Sequence, residues 1–272
     1  MKALVTGAST GIGYATALRL ARDGYDVVAT MRNPSASDLG EKGLQVMALD
    51  VTSDENVAEV FKAVGELDVL VNNAGISKGL VVEEAPIDDF VEAMDTNFFG
   101  AIRCTKAVLP SMRERGSGCI VNVSSQAGRL AAPSMAPYNA SKWALEGAME
   151  TLAAEVGKFG IRVVLIEPGA IITPIMQKGG RRPPDSPYEH VYANIGALLI
   201  HDFSRGSAAE GVADCIAESI ATDDYRLRWL VGQGAERNIA VREAMSDEES
   251  VAAWSLATDE LMRKLIPAEE AG

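Results

Sequence analysis

Lys2-Ala3-Leu4-Val5-Thr6-Gly7-Ala8-Ser9-Thr10-Gly11-Ile12-Gly13 opens the chain and decides how the rest is read. Lys2 to Thr6 predicts a short apolar strand, and Ile12 to Arg22 has helical composition. Between them the glycines form a G-x-x-x-G-x-G turn. Small residues let backbone N–H groups approach a pyrophosphate, and a helix N-terminus favours its negative charge. A strand–turn–helix with this spacing therefore points to dinucleotide binding, whereas the glycine pattern alone carries little. The same residues spell G-x-S-x-G, the pattern of a hydrolase nucleophile elbow centred on Ser9. Such an elbow is not expected on a first strand with no sheet before it.

Outward from this turn, strand and helix signals alternate. Further strands are predicted at Asp26–Thr30, Leu44–Leu49, Leu67–Val71, Cys119–Val123 and Ile161–Ile166, and a last one at Arg226–Val231. Asp54–Val64 reads as a helix with Val57, Val60, Phe61 and Val64 on one face. Two helices are expected between Pro86 and Arg115, and a long one from about Tyr138 to Phe159. Nearly continuous apolar strands separated by helices imply a parallel sheet covered on both faces. Right-handed crossovers make it doubly wound, with ligands outside the carboxyl ends of the strands. Lys178–Pro187 reads as a loop, and Asp247–Leu265 as one amphipathic helix.

Composition narrows the function. The 272 residues suffice for one large domain, and an apolar content of 47% with 23% charged residues is that of an ordinary globular protein. A net charge of −13 repels phosphate backbones and anionic lipid, so neither nucleic acid nor a membrane surface is an expected partner. Cys104, Cys119 and Cys215 are odd in number and form no C-x-x-C, which fits reduced thiols and a cytoplasmic enzyme. His190 and His201 are the only histidines, too few for a zinc site built on several, and no metal is expected. No apolar run is long enough to span a bilayer, and no signal peptide is evident.

Asn72-Asn73-Ala74-Gly75 follows the fourth strand, Ser125 the fifth, and Tyr138-x-x-x-Lys142 lies beyond. Tyr138 and Lys142 are four apart and share a helix face. A nearby ammonium favours phenolate and lowers a tyrosine pKa from about 10, giving a usable general acid/base. Ser125 sits at a strand end where its hydroxyl can face the same crevice, while Ser124 should point to the opposite side. In order and spacing these motifs, with the glycine turn, resemble the short-chain dehydrogenase/reductase family over about residues 2 to 232.

That resemblance implies a single α/β domain, residues 1–272, with a Rossmann-like doubly wound parallel sheet and helices on both faces. It implies Ser125, Tyr138 and Lys142 as catalytic, with Asn97 completing the set by holding a water of a proton chain. Asn97 would also suit a helix cap or kink. Cofactor contacts are implied for Gly7, Ser9, Gly11, Ile12, Gly13, Asn73, Ala74, Gly75, Tyr138 and Lys142. Asp50 and Val51 are implied at the adenine, although Asp50 also suits a helix start. Pro168, Gly169 and Thr173 are implied at the nicotinamide end, although Pro168 would also end a strand.

The second strand ends Ala29-Thr30-Met31-Arg32, with no acid placed for a ribose 2′-hydroxyl. A guanidinium fits a 2′-phosphate, so Arg32 favours NADP(H) over NAD(H), although the glycine turn offers only Ser9 beside it. The expected reaction interconverts a ketone or aldehyde and an alcohol. Residues 174–206 match the family's variable lid, with Ile175, Met176, Tyr188, Tyr192, Ile195, Leu198, Leu199 and Phe203 suiting a bulky hydrophobic substrate. Arg181 and Arg182 would suit either an anionic substrate or solvent. A helical extension is expected over about 235–265, and a homotetramer or homodimer through the long helices near 97–115 and 138–159. Small residues at Ala140, Ala144, Gly147, Ala148 and Thr151 would permit close approach there. The alternatives are a non-catalytic NADP-binding sensor, which typically lacks the tyrosine or lysine, a serine hydrolase using Ser9, and epimerisation or dehydration on the same fold.

Overall fold

A computed structural model describes residues 1–175 and 182–266. Seven parallel strands form one sheet: β1 (Lys2–Val5), β2 (Asp26–Met31), β3 (Gln45–Ala48), β4 (Val69–Asn72), β5 (Gly118–Val123), β6 (Ile161–Pro168) and β7 (Arg228–Val231). Their spatial order is β3-β2-β1-β4-β5-β6-β7, so the winding reverses between β1 and β4. A crevice opens at that reversal, beyond the carboxyl ends of the strands.

Register places alternate residues of each strand on opposite faces. Leu4 pairs with Val28 and with Leu70, and these three pack on one face with Ile120, Val163 and Leu165. That face is covered by α2 (Asp54–Val64), α4 (Gly100–Arg115) and α5 (Ala136–Val156). Val5, Ala29, Val71, Val121 and Val164 pack on the other, under α1 (Gly11–Arg22) and α7 (Ala209–Ala221). Leu4, Val5, Leu70, Val71, Ile120 and Val121 are all 0% exposed, which is why these strands read as apolar without alternation.

Two departures from the sequence expectation matter for the site. The helices between Pro86 and Arg115 are not separated by a loop. α3 (Ile87–Met94) runs into α4 through a single π turn, Asp95–Phe99, in which the Gly100 N–H bonds to the Asp95 carbonyl five residues back. The tail, expected as one helix, is two: α9 (Asp247–Ala253) and α10 (Thr258–Leu265). The break has a buried cause. Asn194, on α6 (Glu189–Ser204), donates to the Trp254 and Leu256 carbonyls at 3.2 and 3.1 Å and accepts from Thr258 Oγ1 at 2.6 Å. Those partners are available only because the chain leaves the helix at residues 254–257. α8 (Ala235–Glu243) connects this tail to β7.

Candidate active site

The glycine turn is held by the strand next to it. Thr6 Oγ1 accepts from the N–H groups of Asn73 and Ala74 at 2.9 and 3.0 Å, and Asn73 Nδ2 donates to the Thr6 and Gly7 carbonyls at 2.8 and 3.1 Å. The turn and the segment after β4 are thereby one rigid unit. Gly7 has φ +66°, and a Cβ there would lie 2.7 Å from Ala74 Cα. A Cβ on Gly13 would lie 2.3 Å from Asn73 Nδ2 and 2.6 Å from the Gly7 carbonyl. Glycine is thus required at both positions by protein packing, before any ligand is considered.

The start of α1 is left open. Its N-cap, Thr10, makes no side-chain cap, and no acid lies in the first turn. By contrast α2 is capped by Ser53 and begins with Asp54 and Glu55. The uncapped N–H groups and helix dipole of α1 are free for an anion. A cavity of about 260 Å³ runs from this terminus along the strand ends to Tyr138. Gly7, Ser9, Gly11, Ile12, Arg32, Asp50, Val51, Asn73, Ala74, Gly75, Ser125, Tyr138, Lys142, Pro168, Gly169 and Thr173 all line it. Gly13 and Asn97 do not; they stand behind its wall.

At one end Arg32 is exposed and makes no hydrogen bond or ion pair among the described residues. Asp50 is engaged: its Oδ1 accepts from the Thr52 hydroxyl at 2.7 Å and the Thr52 N–H at 3.0 Å. Those two bonds, with smaller help from Arg32 and Arg103, hold its carboxyl below the usual range. On the far wall Thr173 closes over the glycine turn, and a Cβ on Gly11 would stand 3.1 Å from its methyl.

Ser125 caps the turn after β5, its Oγ accepting from the Ala127 N–H at 3.1 Å, and it lines the same cavity as Tyr138. Ser124 also lines this cavity, but its hydroxyl is buried without a partner among the described residues. Lys142 Nζ donates to the Val123 carbonyl at 2.8 Å and stands 5.8 Å from the Tyr138 ring centre. Burial pushes Tyr138 above its ordinary pKa, with the Ser125 hydroxyl drawing it partly back. Burial also brings Lys142 down to about 8, against the opposing charge of Glu146. In this cavity desolvation outweighs the lowering that a nearby ammonium was expected to give.

Asn97 sits in the π turn, 2% exposed. Its Oδ1 accepts from the Ile76 N–H at 2.8 Å, and its Nδ2 donates to the Ile76 carbonyl and to Ser141 Oγ, both at 2.9 Å. Ser141 Oγ in turn donates to the Tyr138 carbonyl at 2.7 Å. The side chain therefore ties the segment after β4 to α5 and is not turned to the cavity. Thr6 and Ser141 escaped the sequence reading. The only signal was a hydroxyl directly before Gly7 and another inside Tyr138-x-x-x-Lys142.

A second cavity, about 150 Å³, opens on the other side of Ser125 and Tyr138. Leu130, Met135, Ile195, Leu198, Leu199, Phe203, Val241, Met245 and Trp254 line most of it, drawn from the segment after β5 and from α6, α8 and the tail. Tyr188 and Tyr192 lie outside it. Tyr188 bonds Glu83, and Tyr192 donates to Glu84 at 2.6 Å. Arg182 is paired with Glu189 at 3.2 Å, while Met176, Arg181 and most of the Lys178–Pro187 loop's glycine segment lie outside the described residues. Ser9 has no histidine to activate it. His201 is engaged by Asp202 and Arg205 at its two ring nitrogens, and His190 is exposed. Among the described residues there is no metal-suited cluster and no helix long and apolar enough to cross a membrane.

Comparison with known proteins agrees with this geometry. A family model described as short chain dehydrogenase matches residues 1–183. An uncharacterized oxidoreductase of Bacillus subtilis, YusZ, is 36% identical over 97% of this chain and 98% of its own. Retinol dehydrogenase 8 of Bos taurus is 44% identical over 62% of this chain and 59% of its own length. A Burkholderia cenocepacia short chain dehydrogenase solved in complex with NADP superposes with a TM-score of 0.76, at 26% identity over 94% of this chain and 97% of that one. With its sheet order, its glycine turn and this similarity taken together, the chain belongs to the short-chain dehydrogenase/reductase family and is an oxidoreductase of that family.

Proposed function

We propose that the protein interconverts a bulky hydrophobic ketone or aldehyde and the corresponding alcohol, using NADP(H). One observation carries this reading. The cleft that begins at the glycine turn and the apolar cavity share Ser125 and Tyr138 in their walls. The residues present fit the cofactor, because the α1 terminus is uncapped and the glycine turn has no room for side chains. When bound, the nicotinamide supplies or accepts the hydride.

The chain's own groups do the rest. Ser125 Oγ and Tyr138 Oη converge on the place where the substrate oxygen sits, and Tyr138 gives that oxygen a proton or takes one away. Lys142 brings positive charge to the buried phenol, lowering the cost of its deprotonated form once the site is assembled. Asn97 acts through Ser141 to hold the Tyr138 turn of α5 against the segment after β4. Arg32, without a partner among the described residues, follows the carboxyl end of β2, where a 2′-phosphate would lie. The NADP-bound neighbour supports that preference. The retinol dehydrogenase likeness supports a bulky apolar substrate, with helices α6 and α8–α10 forming the lid and extension over it.

We further propose a cytoplasmic homotetramer or dimer packed through α4 and α5. α5 leaves Ala140, Trp143, Gly147 and Thr151 exposed, with Trp143 at 50% and Phe99 nearby at 47%. One preparation tests these points. NADPH should bind more tightly than NADH, light scattering should give a dimer or tetramer mass, and Tyr138→Phe should lose about 10²–10⁴-fold in ketone turnover while keeping NADPH affinity. Near-normal turnover by Tyr138→Phe would refute the catalytic assignment.

A further inference from the structure

Gln126 follows Ser125 directly and lines the apolar cavity. The direction of its amide is dictated from a distance. Arg237 can only donate hydrogen bonds, and the Asp202 carboxylate can only accept them. Arg237 Nε and Nη2 reach Asn238 at 3.1 and 2.9 Å, so the Asn238 atom facing them is Oδ1. Its Nδ2 consequently faces Asp202 Oδ2 at 3.2 Å and the Gln126 side chain at 3.0 Å. Both hydrogens of that Nδ2 are spent, so the Gln126 atom that meets it is the acceptor, Oε1. What Gln126 has left for the cavity is Nε2, with two N–H groups and no acceptor among the described residues.

The chain of orientation starts at a buried ion pair. Arg237 and Asp202 meet at 2.6 Å with side chains only 6% and 4% exposed. Such a pair is a poor stabiliser compared with apolar residues of the same volume. Here it decides which way two amides in series must point, and the last of them is next to the serine that faces the substrate oxygen.

We propose that Gln126 is a specificity-determining donor, and that the substrate carries a second oxygen, a carbonyl or hydroxyl, a few bonds from its reacting carbon, on an otherwise long apolar body. Ser125 and Gln126 line the same apolar cavity of about 150 Å³, so one substrate can present an oxygen to each of them. The groups around this amide fit a neutral oxygen better than a charged one, because Asp202 and Arg237 cancel each other. The proposal rests on the substrate carbonyl lying at Ser125 and Tyr138, so its test reads binding apart from turnover.

The experiment is calorimetric titration of methyl 3-oxodecanoate, and of its chain-matched plain ketone 5-dodecanone, into the protein saturated with NADP+, where no reduction follows. Wild type, Gln126→Met and Gln126→Glu are compared, the last keeping the size while presenting an acceptor where the donor stood. The affinity ratio of keto ester to plain ketone should fall about tenfold in both variants, the loss expected for one hydrogen bond. An unchanged ratio in both variants, or no binding of either ketone to wild type, would overturn the proposal. If the ratio falls as expected but NADPH is not consumed by wild type with either ketone, Gln126 stands as the donor and the catalytic reading fails instead. NADP+ titration of each variant reports that it is folded.

Discussion

The two cavities that meet at Tyr138 are built in opposite ways. The dinucleotide cleft is made of backbone: a glycine turn, strand ends, and an uncapped helix terminus, locked by the short Thr6–Asn73 bonds between neighbouring strands. The apolar cavity is made of side chains from segments far apart in the chain, and its polar rim is pinned by long-range pairs: Asp202 to Arg237, Asn238 to Gln126, Asn194 to the tail. A wall of backbone keeps its chemistry when side chains are exchanged, as long as its glycines stay. A wall of pinned side chains can be exchanged residue by residue, and with it the substrate.

That contrast can be broken at either end. The largest effect is expected at Asp202→Ala, which removes the buried carboxylate that the Arg237 guanidinium meets. Loss of one partner of a buried pair costs about 3–5 kcal/mol. Urea unfolding measures this, and NADPH affinity of the folded fraction should stay within about twofold if the two cavities are independent in construction. A collapse of cofactor affinity would show that they are not. Gly13→Ala attacks the other wall. Its Cβ would meet Asn73 Nδ2 and the Gly7 carbonyl at distances no relaxed contact shows, and overpacking of this kind costs about 1–3 kcal/mol. NADPH titration should weaken here, because the displaced groups carry the glycine turn. Undisturbed NADPH affinity would mean that the turn adjusts freely.

The smallest effect is a tilt of stability with pH, from a cluster of charged groups around Glu146 and Glu167, behind α5. Burial, and then the charge of Glu146, raise Glu167 to about 7, against the pull of Arg129 and Arg228. An acid whose folded pKa is raised binds its proton more tightly in the folded state. Its contribution therefore makes the protein lose stability as pH rises from the ordinary carboxyl value to about 7, with no further change above. Glu167→Gln should flatten that part of the pH–stability curve measured by thermal melting. Lys142 tilts the curve the other way at higher pH, since its depressed value favours the folded state as pH rises above about 8.

The same contrast explains what could be read from the sequence. β1, β4 and β5 announced themselves because Leu4, Leu70 and Ile120 on one face and Val5, Val71 and Val121 on the other are all buried, and apolar runs of that kind need no context. Gly7 and Gly13 were legible from the spacing of the turn, although the atoms that exclude a side chain there include Ala74 Cα and Asn73 Nδ2 from the far-off segment after β4. Asn97 was found by position, but its partners at Ile76 and Ser141 are contacts across the fold that no spacing announces. The break between α9 and α10 was invisible for the same reason: the residue that demands it, Asn194, lies about sixty positions earlier, and the local composition of 247–265 is good for a continuous helix. Tyr138 lines the cleft, and the burial that pushes its pKa up was not legible in the sequence, because desolvation depends on what the fold stacks above it.

The π turn at Asp95–Phe99 makes α3 and α4 one rod with two phases. Each residue of an α-helix advances the direction of its side chains by about 100° while lengthening the rod by only about 1.5 Å. A surplus residue in the middle is therefore almost invisible in length but works like a skipped tooth in a gear. The first half of the rod meshes with α5 and the second half with α2, two neighbours that a uniformly wound helix could not face along one stripe. The tooth that is skipped carries Asn97, so the residue that braces the Tyr138 turn is also the one at which the rod changes partners.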